Sequence, residues 1–266
     1  MIVASDLDRT IIYSKRAMAD LEEQPEGQLK LVEIKDGEQV AFMTEAALFA
    51  LEMISQKSLF IPVTTRTTDQ FNRLTIFKNK IEFKYAITTN GAVILEHGKP
   101  IEGWTEYVKN RLRMESALEE ELLSIFQREG IRFDGIKKQA GKLFFYFILN
   151  ILPSTVELQL INDLVGKVGW RISLQGRKLY FIPLAISKGS ALEYLCQTEG
   201  TQAIAGAGDS ILDWDFLQKC QYRFVPNHGE LAKATDTSDL IFTKSRGVCA
   251  GEEILQQVLE LLPLKV

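Results

Sequence analysis

Two pairs of aspartates stand out in the sequence, because each pair follows a short apolar run typical of a buried strand. Asp6 and Asp8 come directly after the first run, and Asp209 and Asp213 follow a later run that ends in the glycine-rich residues 206–208. Carboxylates placed so close together repel each other unless a cation or a shared proton lies nearby. A Mg²⁺ ion bound by carboxylates and waters supplies that charge and also neutralises a phosphate group. The pairs therefore indicate a magnesium site for phosphate chemistry, although each pair alone also fits a solvated turn or an acidic helix start.

Two further residues have side chains that suit a phosphoryl group in transfer. Thr64 offers a hydroxyl at the end of an apolar run, and Lys188 offers an ammonium group where a helix is expected to begin. A hydroxyl donor and a fixed cation stabilise the equatorial oxygens of a transferring phosphoryl group. Either residue alone is also typical of a helix N-cap or an exposed lysine, so the prediction depends on finding both with the aspartates.

The order of apolar and amphipathic segments indicates how these residues are held. Strands alternate with helices over residues 1–98 and again over 184–266, which predicts an α/β core with a doubly wound parallel sheet of Rossmann type. Residues 99–183 have the order helix, strand, strand twice over, which predicts an inserted α+β domain. Chemistry in doubly wound sheets gathers at the carboxyl ends of the strands. The candidate residues fall at or near such ends, or at adjoining helix starts.

Several local signals add detail to this architecture. The pair Asp36-Gly37 between two apolar runs predicts a hairpin turn, and Thr44 is a candidate N-cap for the helix that follows. Apolar residues at helical spacing within 71–77 predict another helix with one buried face. The highly charged stretch 106–129 predicts a helix within the inserted domain.

Taken in order, the motifs resemble those of the haloacid dehalogenase superfamily. They are Asp-x-Asp-x-Thr over residues 6–10, Thr64, Lys188 within Ser-Lys-Gly, and Gly-Asp-Ser at 208–210 followed by Asp213. The sequence Asn-Gly-Ala from residue 90, with the position of the insert, resembles members with a type C2B cap. These include sucrose-phosphate phosphatases and mannosyl-3-phosphoglycerate phosphatases. The resemblance covers nearly the whole chain.

The resemblance implies a catalytic or phosphate-binding role for five residues. Asp6 would be the nucleophile and a metal ligand. Asp8 would be the general acid and base, and would also bind the metal through its main-chain carbonyl. Thr64 and Lys188 would hold the phosphoryl group, and Asn90 would touch the phosphate or the substrate.

The resemblance also implies Mg²⁺ as the cofactor, with Asp209 as a ligand and Asp213 as a direct or water-mediated ligand. Two positions depart from the commonest pattern. Arg9 stands where a glycine often occurs, and Thr65 replaces the glycine of the usual Thr-Gly-Arg. Both positions border the expected pocket, so no substrate can be transferred from a known member. Arg9 either reaches the substrate or is solvated.

The bulk properties narrow the range of partners. A net charge of −4 argues against nucleic acid, which requires a basic face. No apolar run approaches the roughly 20 residues that span a bilayer, and the start of the sequence lacks a signal-peptide pattern. The three scattered cysteines, without a CxxC pair, fit a reducing compartment, and His97 and His228 are expected to be ordinary loop or surface residues. We therefore expect a cytoplasmic protein whose partner is a small phosphate ester, with no nucleic acid, membrane or obligatory protein partner.

These observations favour a Mg²⁺-dependent phosphomonoesterase that acts on a small phosphorylated metabolite, in particular a phosphosugar, through an aspartyl-phosphate on Asp6. The inserted domain would exclude water and select the leaving group. A phosphosugar mutase is the closest alternative, since phosphomannomutases of the same superfamily share these motifs and this class of cap. A phosphorylatable signalling module is a second alternative, although receiver domains lack a large cap.

Overall fold

The computed structural model describes residues 1–21, 27–141, 143–233 and 238–263. The chain forms two compact units, and each has its own hydrophobic core. Unit 1 combines Met1–Ile101 with Lys188–Val266, and unit 2 is Glu102–Ser187. Within the described ranges, no helix has both the length and the apolar character needed to cross a membrane.

Unit 1 draws its helices and strands from two segments of the chain, with those of unit 2 between them. The first segment of unit 1 contains β1 (Ile2–Ser5), β2 (Tyr13–Ser14), α1 (Lys15–Leu21), β3 (Leu29–Lys35), β4 (Glu38–Thr44), α2 (Glu45–Lys57), β5 (Leu59–Pro62), α3 (Thr68–Phe71), α4 (Ile76–Asn79), β6 (Tyr85–Thr88), β7 (Val93–Glu96) and β8 (Lys99–Pro100). Unit 2 contains α5 (Glu102–Glu115), α6 (Glu119–Arg128), β9 (Gly135–Ala140), β10 (Phe144–Leu149), α7 (Thr155–Gly166), β11 (Trp170–Gln175) and β12 (Lys178–Pro183). The second segment of unit 1 contains α8 (Lys188–Thr198), β13 (Ala203–Ala207), α9 (Trp214–Leu217), β14 (Cys220–Val225), β15 (Ile241–Phe242) and α10 (Gly247–Leu261). Short 3-10 helices lie at Thr89–Gly91, Ile211–Asp213 and Leu231–Lys233.

The core of unit 1 is a five-stranded parallel sheet with the strand order β15-β14-β13-β1-β5. On one side β1 pairs with β5 from the same segment of chain, and on the other it pairs with β13, which follows the insertion. The direction in which strands are added therefore reverses at β1, and such switch points are where α/β sheets bind ligands. The predicted parallel α/β core with an inserted α+β unit is confirmed.

Two small antiparallel sheets, β2-β4-β3 and β6-β7-β8, are added to unit 1. β3 and β4 form the predicted hairpin, and Asp36 and Gly37 at its turn have φ angles of +52° and +81°. Asp-Gly is favoured at such turns because both positions require positive φ. Thr44 is the predicted N-cap of α2, and its Oγ1 accepts a hydrogen bond from the Ala47 N–H at 3.0 Å. Both local predictions are confirmed.

Two predicted helices are broken in the structure. The segment 71–77 is divided between α3 and α4, because the main chain between them bonds to β3 instead of to its own helix. The Thr75 N–H donates to the Val32 carbonyl at 2.9 Å. The apolar residues that share the predicted face are nevertheless buried, so their spacing identified the core face and missed the break. Residues 106–129 are likewise divided between α5 and α6, where the Ala117 N–H bonds to the turn before β11.

Unit 2 is built on a four-stranded antiparallel sheet with the order β11-β12-β10-β9. One face packs against α6 and α7 around an aromatic core that includes Phe126, Phe145 and Phe181. Direct cross-strand partners lie on the same face of a sheet. The opposite face therefore carries a row across the strands formed by Ser173, Tyr180, Tyr146 and Lys138.

Candidate active site

Asp6 lies in a tight loop at the carboxyl end of β1. Its N–H donates to the Ala207 carbonyl of β13 at 2.8 Å. The loop folds over the fully buried Leu7, whose carbonyl accepts hydrogen bonds from the N–H groups of residues 10–12. The Thr10 hydroxyl lies 3.2 Å from Asp6 Oδ2 and donates to it. These contacts hold the buried Asp6 carboxylate in one orientation although it stands outside regular structure.

Arg9 has a left-handed backbone conformation in this loop, with φ of +65°. Its carbonyl accepts a hydrogen bond from His228 Nε2 at 3.0 Å, while His228 Nδ1 accepts one from the Gly247 N–H at 3.2 Å. This pair of bonds requires a neutral imidazole with its proton on Nε2. Burial lowers the pKa of His228 to about 4, which favours that neutral form. His228 therefore supports the loop that carries Asp6. The sequence predicted only an ordinary loop or surface residue at this position.

Lys188 begins α8 and is fully buried. Its Nζ lies 2.8 Å from Asp6 Oδ1 and 2.5 Å from Asp213 Oδ1. Burial alone would lower the pKa of this amine, but the charges of Asp213 and Asp6 outweigh that effect and raise it above its ordinary value. Lys188 is thus held as a cation directly beside the Asp6 carboxylate.

Asp213 closes the turn that follows β13. Its Oδ2 accepts hydrogen bonds from the N–H groups of Asp209 and Ser210, at 3.1 and 2.9 Å, and from Ser210 Oγ at 2.9 Å. Lys188 Nζ is the one donor to Oδ1 among these contacts, so Oδ2 is fully engaged while Oδ1 keeps a lone pair. Gly208 leaves the necessary room, since a Cβ there would lie 2.5 Å from Asp213 Cβ. Asp213 therefore ties the turn to Lys188.

The three aspartates Asp6, Asp209 and Asp213 each place one carboxylate oxygen within 4.8 Å of the others. Burial and the charge of Asp213 raise the pKa of Asp6, and the same two causes raise the pKa of Asp209 well above its ordinary value. The positive charge of Lys188 lowers the pKa of both carboxyl groups, and that of Arg9 lowers the pKa of Asp209, but these effects do not offset the rise. Sets of carboxylate oxygens with excess negative charge bind hard divalent cations. The donor set therefore fits a divalent metal ion.

Thr64 and Asn90 lie in two turns that are joined by main-chain hydrogen bonds. The Thr64 N–H donates to the Ile87 carbonyl at 2.8 Å, and the Asn90 N–H donates to the Thr64 carbonyl at 3.0 Å. Both side chains are fully buried. Thr64 Oγ1 accepts from the Arg66 N–H at 3.1 Å, whereas neither polar atom of the Asn90 side chain has a hydrogen-bond partner in the described part of the chain. Because a buried amide without partners is costly, Asn90 is a candidate for contact with a bound ligand.

The side chain of Asp8 is engaged by Arg66. Arg66 Nε lies 2.6 Å from Asp8 Oδ2 and its Nη2 lies 2.7 Å from Asp8 Oδ1, a bidentate pair. The Asp8 side chain is 46% exposed, in contrast to the buried Asp6. Asp8 therefore stands at the solvent-accessible side of the loop.

The structure thus brings most of the predicted residues into defined contacts. Lys188 bonds Asp6 and Asp213, Asp209 completes the acidic group, and Thr64 bonds Asn90. Sequence reasoning missed a set of residues that contact these groups, namely Thr10, Arg66, Ser210 and His228, together with Glu33, whose Oε2 accepts a hydrogen bond from Arg66 Nη1 at 2.9 Å. Thr10, Arg66 and Ser210 stand inside the recognised motifs, but a motif does not show which residues they contact. Glu33 and His228 had no signal beyond an acidic residue in an apolar strand and an isolated histidine in a loop.

Comparison with known proteins relates this fold to solved structures. No family model and no curated protein matches the sequence. Among solved structures, the sucrose-phosphatase of Synechocystis, in complex with sucrose and phosphate, is similar with a TM-score of 0.67 and 14% identity, covering 97% of each chain. A haloacid dehalogenase-like hydrolase of Bacillus subtilis is similar with a TM-score of 0.56 and 16% identity, covering 97% of this chain and 91% of that one. A trehalose-6-phosphate phosphatase related protein is similar with a TM-score of 0.53 and 15% identity, covering 98% of each chain. The chain therefore has the haloacid dehalogenase fold that its sequence motifs predicted.

Proposed function

We propose that this protein hydrolyses small phosphate monoesters through a phosphoryl group carried transiently on Asp6. The observation that carries the proposal is the 2.8 Å contact between Lys188 Nζ and Asp6 Oδ1 beside the acidic group. A carboxylate can attack a phosphate when a fixed cation offsets the charge of the phosphoryl oxygens. The fold shared with solved phosphatases supports the same class of reaction.

In the first step a carboxylate oxygen of Asp6 attacks phosphorus, and the bond from phosphorus to the ester oxygen breaks. Asp8 enters this step as the neutral acid, gives its proton to the departing alkoxide and becomes a carboxylate. In the second step water attacks phosphorus while Asp8 takes up a proton from that water. The bond to Asp6 then breaks and phosphate is released. Division into two displacements, with proton transfer by a positioned side chain, lowers the barrier to each.

Lys188, Thr64 and Asn90 hold the phosphoryl oxygens in this proposal. The Thr64 oxygen already accepts a hydrogen bond from the Arg66 main chain, so its own proton is available to an oxygen of the substrate. The buried Asn90 amide has donors and an acceptor without partners in the described chain, and a bound phosphate or substrate hydroxyl would satisfy them.

Mg²⁺ is the proposed cofactor. Asp6 and Asp209 would hold it through carboxylate oxygens, and Asp8 through its main-chain carbonyl. Asp213 would act directly through Oδ1 or through a water molecule, because three protein donors occupy its Oδ2. When bound, the ion would offset the charge of the carboxylates and of the phosphoryl group.

Within this class we propose a phosphosugar as the substrate and unit 2 as the part that selects it. The polar row on the unit 2 sheet includes Tyr146 and Tyr180, whose ring centroids are 5.0 Å apart, and Ser173. Ser173 Oγ is buried and lacks a hydrogen-bond partner within the described ranges. Hydroxyl and aromatic groups suit a polyol, and unpaired buried groups discriminate against ligands that cannot bond them. The sucrose-phosphatase that shares this fold was solved with sucrose and phosphate.

A screen of phosphorylated metabolites tests the proposal. Released phosphate is measured for the wild type and for Asp6→Asn, each with Mg²⁺ or with excess EDTA. We expect phosphate from a phosphosugar with Mg²⁺ and a fall of about 10³-fold or more in kcat for Asp6→Asn. A variant that keeps more than about a tenth of the wild-type rate would contradict the covalent route. Isomerisation that depends on a sugar bisphosphate, with little free phosphate, would instead indicate a mutase.

A further inference from the structure

A buried carboxylate in the β3–β4 hairpin is directed toward the Asp6 loop. Glu33 is 1% exposed although it lies in a strand beside the equally buried Val32. Successive residues of a regular strand point to opposite faces, so two adjacent buried side chains require an irregularity. The register of β3 against β4 shifts on both sides of Glu33. Such irregularities re-aim a side chain, and this one turns Glu33 inward.

Two arginines surround the Glu33 carboxylate. Arg66 Nη1 lies 2.9 Å from Glu33 Oε2, and Arg73 Nε lies 2.9 Å from Glu33 Oε1. A buried carboxylate is tolerated when it is paired and hydrogen-bonded in this way. The charge of Glu33 therefore fixes Arg66 from the side of the hairpin.

The other edge of the Arg66 guanidinium holds Asp8 through Nε and Nη2. The arginine side chain is only 11% exposed and is bonded on both sides, so it has little freedom to move. A bidentate arginine fixes both the position and the plane of a carboxylate. It uses one lone pair on each Asp8 oxygen and leaves others for proton transfer.

We propose that Arg66 and Glu33 are positioning residues for proton transfer by Asp8. Asp8 lies in a loop and its side chain is half exposed, so the loop alone does not fix its carboxylate. Arg66 fixes it, and Glu33 fixes Arg66. The hairpin therefore serves the reaction through Arg66. This inference rests on the proposed function, in which Asp8 protonates the leaving group.

A dependence on the leaving group distinguishes this role from a merely structural one. An alkoxide needs a proton as it departs, whereas p-nitrophenolate is a stable leaving group and does not. The quantity to measure is kcat/KM, which covers the steps up to transfer of the phosphoryl group to Asp6. It is compared for an alkyl phosphate and for p-nitrophenyl phosphate in the wild type, Glu33→Gln and Arg66→Lys. Arg223→Lys serves as the control, because Arg223 forms an ion pair with Asp239 at 3.1 Å and has no part in the site.

We expect Arg66→Lys to lower kcat/KM for the alkyl phosphate by about 10- to 100-fold and for p-nitrophenyl phosphate by less than about 3-fold, since positioned proton transfer contributes about 10²–10⁴-fold. Glu33→Gln should act in the same direction, and Arg223→Lys should change neither value. The double variant Asp8→Asn/Arg66→Lys should have a kcat/KM for the alkyl phosphate only slightly below that of Asp8→Asn, because Asp8 and Arg66 act as a unit. If Glu33→Gln does not fold, Arg66→Lys alone decides.

Equal losses for both esters, or no loss for either, in an active and folded enzyme would overturn the positioning role and leave the proposed function intact. A wild type that releases phosphate with Mg²⁺ from neither ester and from none of the screened phosphosugars would instead overturn the proposed function, and this inference with it.

Discussion

The left-handed conformation of Arg9 yields a stability prediction that does not depend on activity. A residue with a Cβ at φ of +65° costs roughly 1–2 kcal/mol, and glycine avoids that cost. Glycine in turn lowers the free energy of unfolding by about 0.5–1 kcal/mol, because it loses more backbone conformational entropy on folding than other residues do. Arg9→Gly and Arg9→Ala both remove the half-exposed guanidinium that lies 3.8 Å from Asp209, so this loss cancels between them. We therefore expect the glycine variant to be more stable than the alanine variant by about 0.5–1 kcal/mol.

Urea denaturation followed by tryptophan fluorescence measures this difference. Arg16 is a matched control, because it also lies 3.8 Å from an aspartate, Asp20, but stands in the helix α1. At position 16 the order should reverse, with alanine more stable than glycine by up to about 1 kcal/mol. An alanine variant at position 9 that equals or exceeds the glycine variant would refute the left-handed loop and the reasoning built on it.

Three further predictions concern the site and its supports. Excess EDTA should abolish phosphate release and added Mg²⁺ should restore it, with a higher Mg²⁺ requirement in Asp209→Asn; full activity in chelator would exclude the metal site. Gly208→Ala should displace Asp213, lower the free energy of unfolding by about 1–3 kcal/mol and reduce turnover. Gly166→Ala is the control, because a Cβ at Gly166 meets nothing within 4 Å, and it should be neutral or stabilising in the same denaturation assay. The pKa of His228 falls from 6.5 to about 4 on folding, so the unfolded chain binds the proton more readily than the folded one. The wild type should therefore lose stability relative to His228→Gln as the pH falls from 6.5 to about 4. The loss should be about 1–2 kcal/mol at this partly exposed site, and a difference that is independent of pH would contradict it.

The sequence was sufficient to predict the features that depend on local pattern and on topology. Strand and helix alternation predicted the parallel core, and the carboxyl ends of its strands necessarily meet at one edge. For that reason Asp6 and Asp209, which are far apart in the chain, could be assigned to one site. The Asp36-Gly37 turn followed from the backbone preferences of those two residues, and the Thr44 cap followed from the capacity of its hydroxyl to accept a main-chain hydrogen bond.

The contacts that hold the site could not be predicted in this way, because they join segments with no local relationship. The carbonyl of Arg9 meets His228, and Arg66 joins Glu33 to Asp8, only once the chain has folded. The break between α3 and α4 has the same origin, since a strand of the hairpin takes the hydrogen bond that would have continued the helix. The spacing of apolar residues predicts which face of a helix is buried. It does not predict that a residue distant in the chain will take a main-chain hydrogen bond of that helix.

The phosphorylation of Asp6 is the central claim, and rapid acid quench followed by mass spectrometry tests it most directly. The wild type is mixed with a phosphosugar that it hydrolyses, in the presence of Mg²⁺, and quenched within the first turnover. We predict a single phosphoryl group on the peptide that contains Asp6, formed before free phosphate appears and absent from Asp6→Asn. Phosphate release without a phosphorylated Asp6 peptide at any quench time, or a phosphoryl group on another residue, would contradict the account.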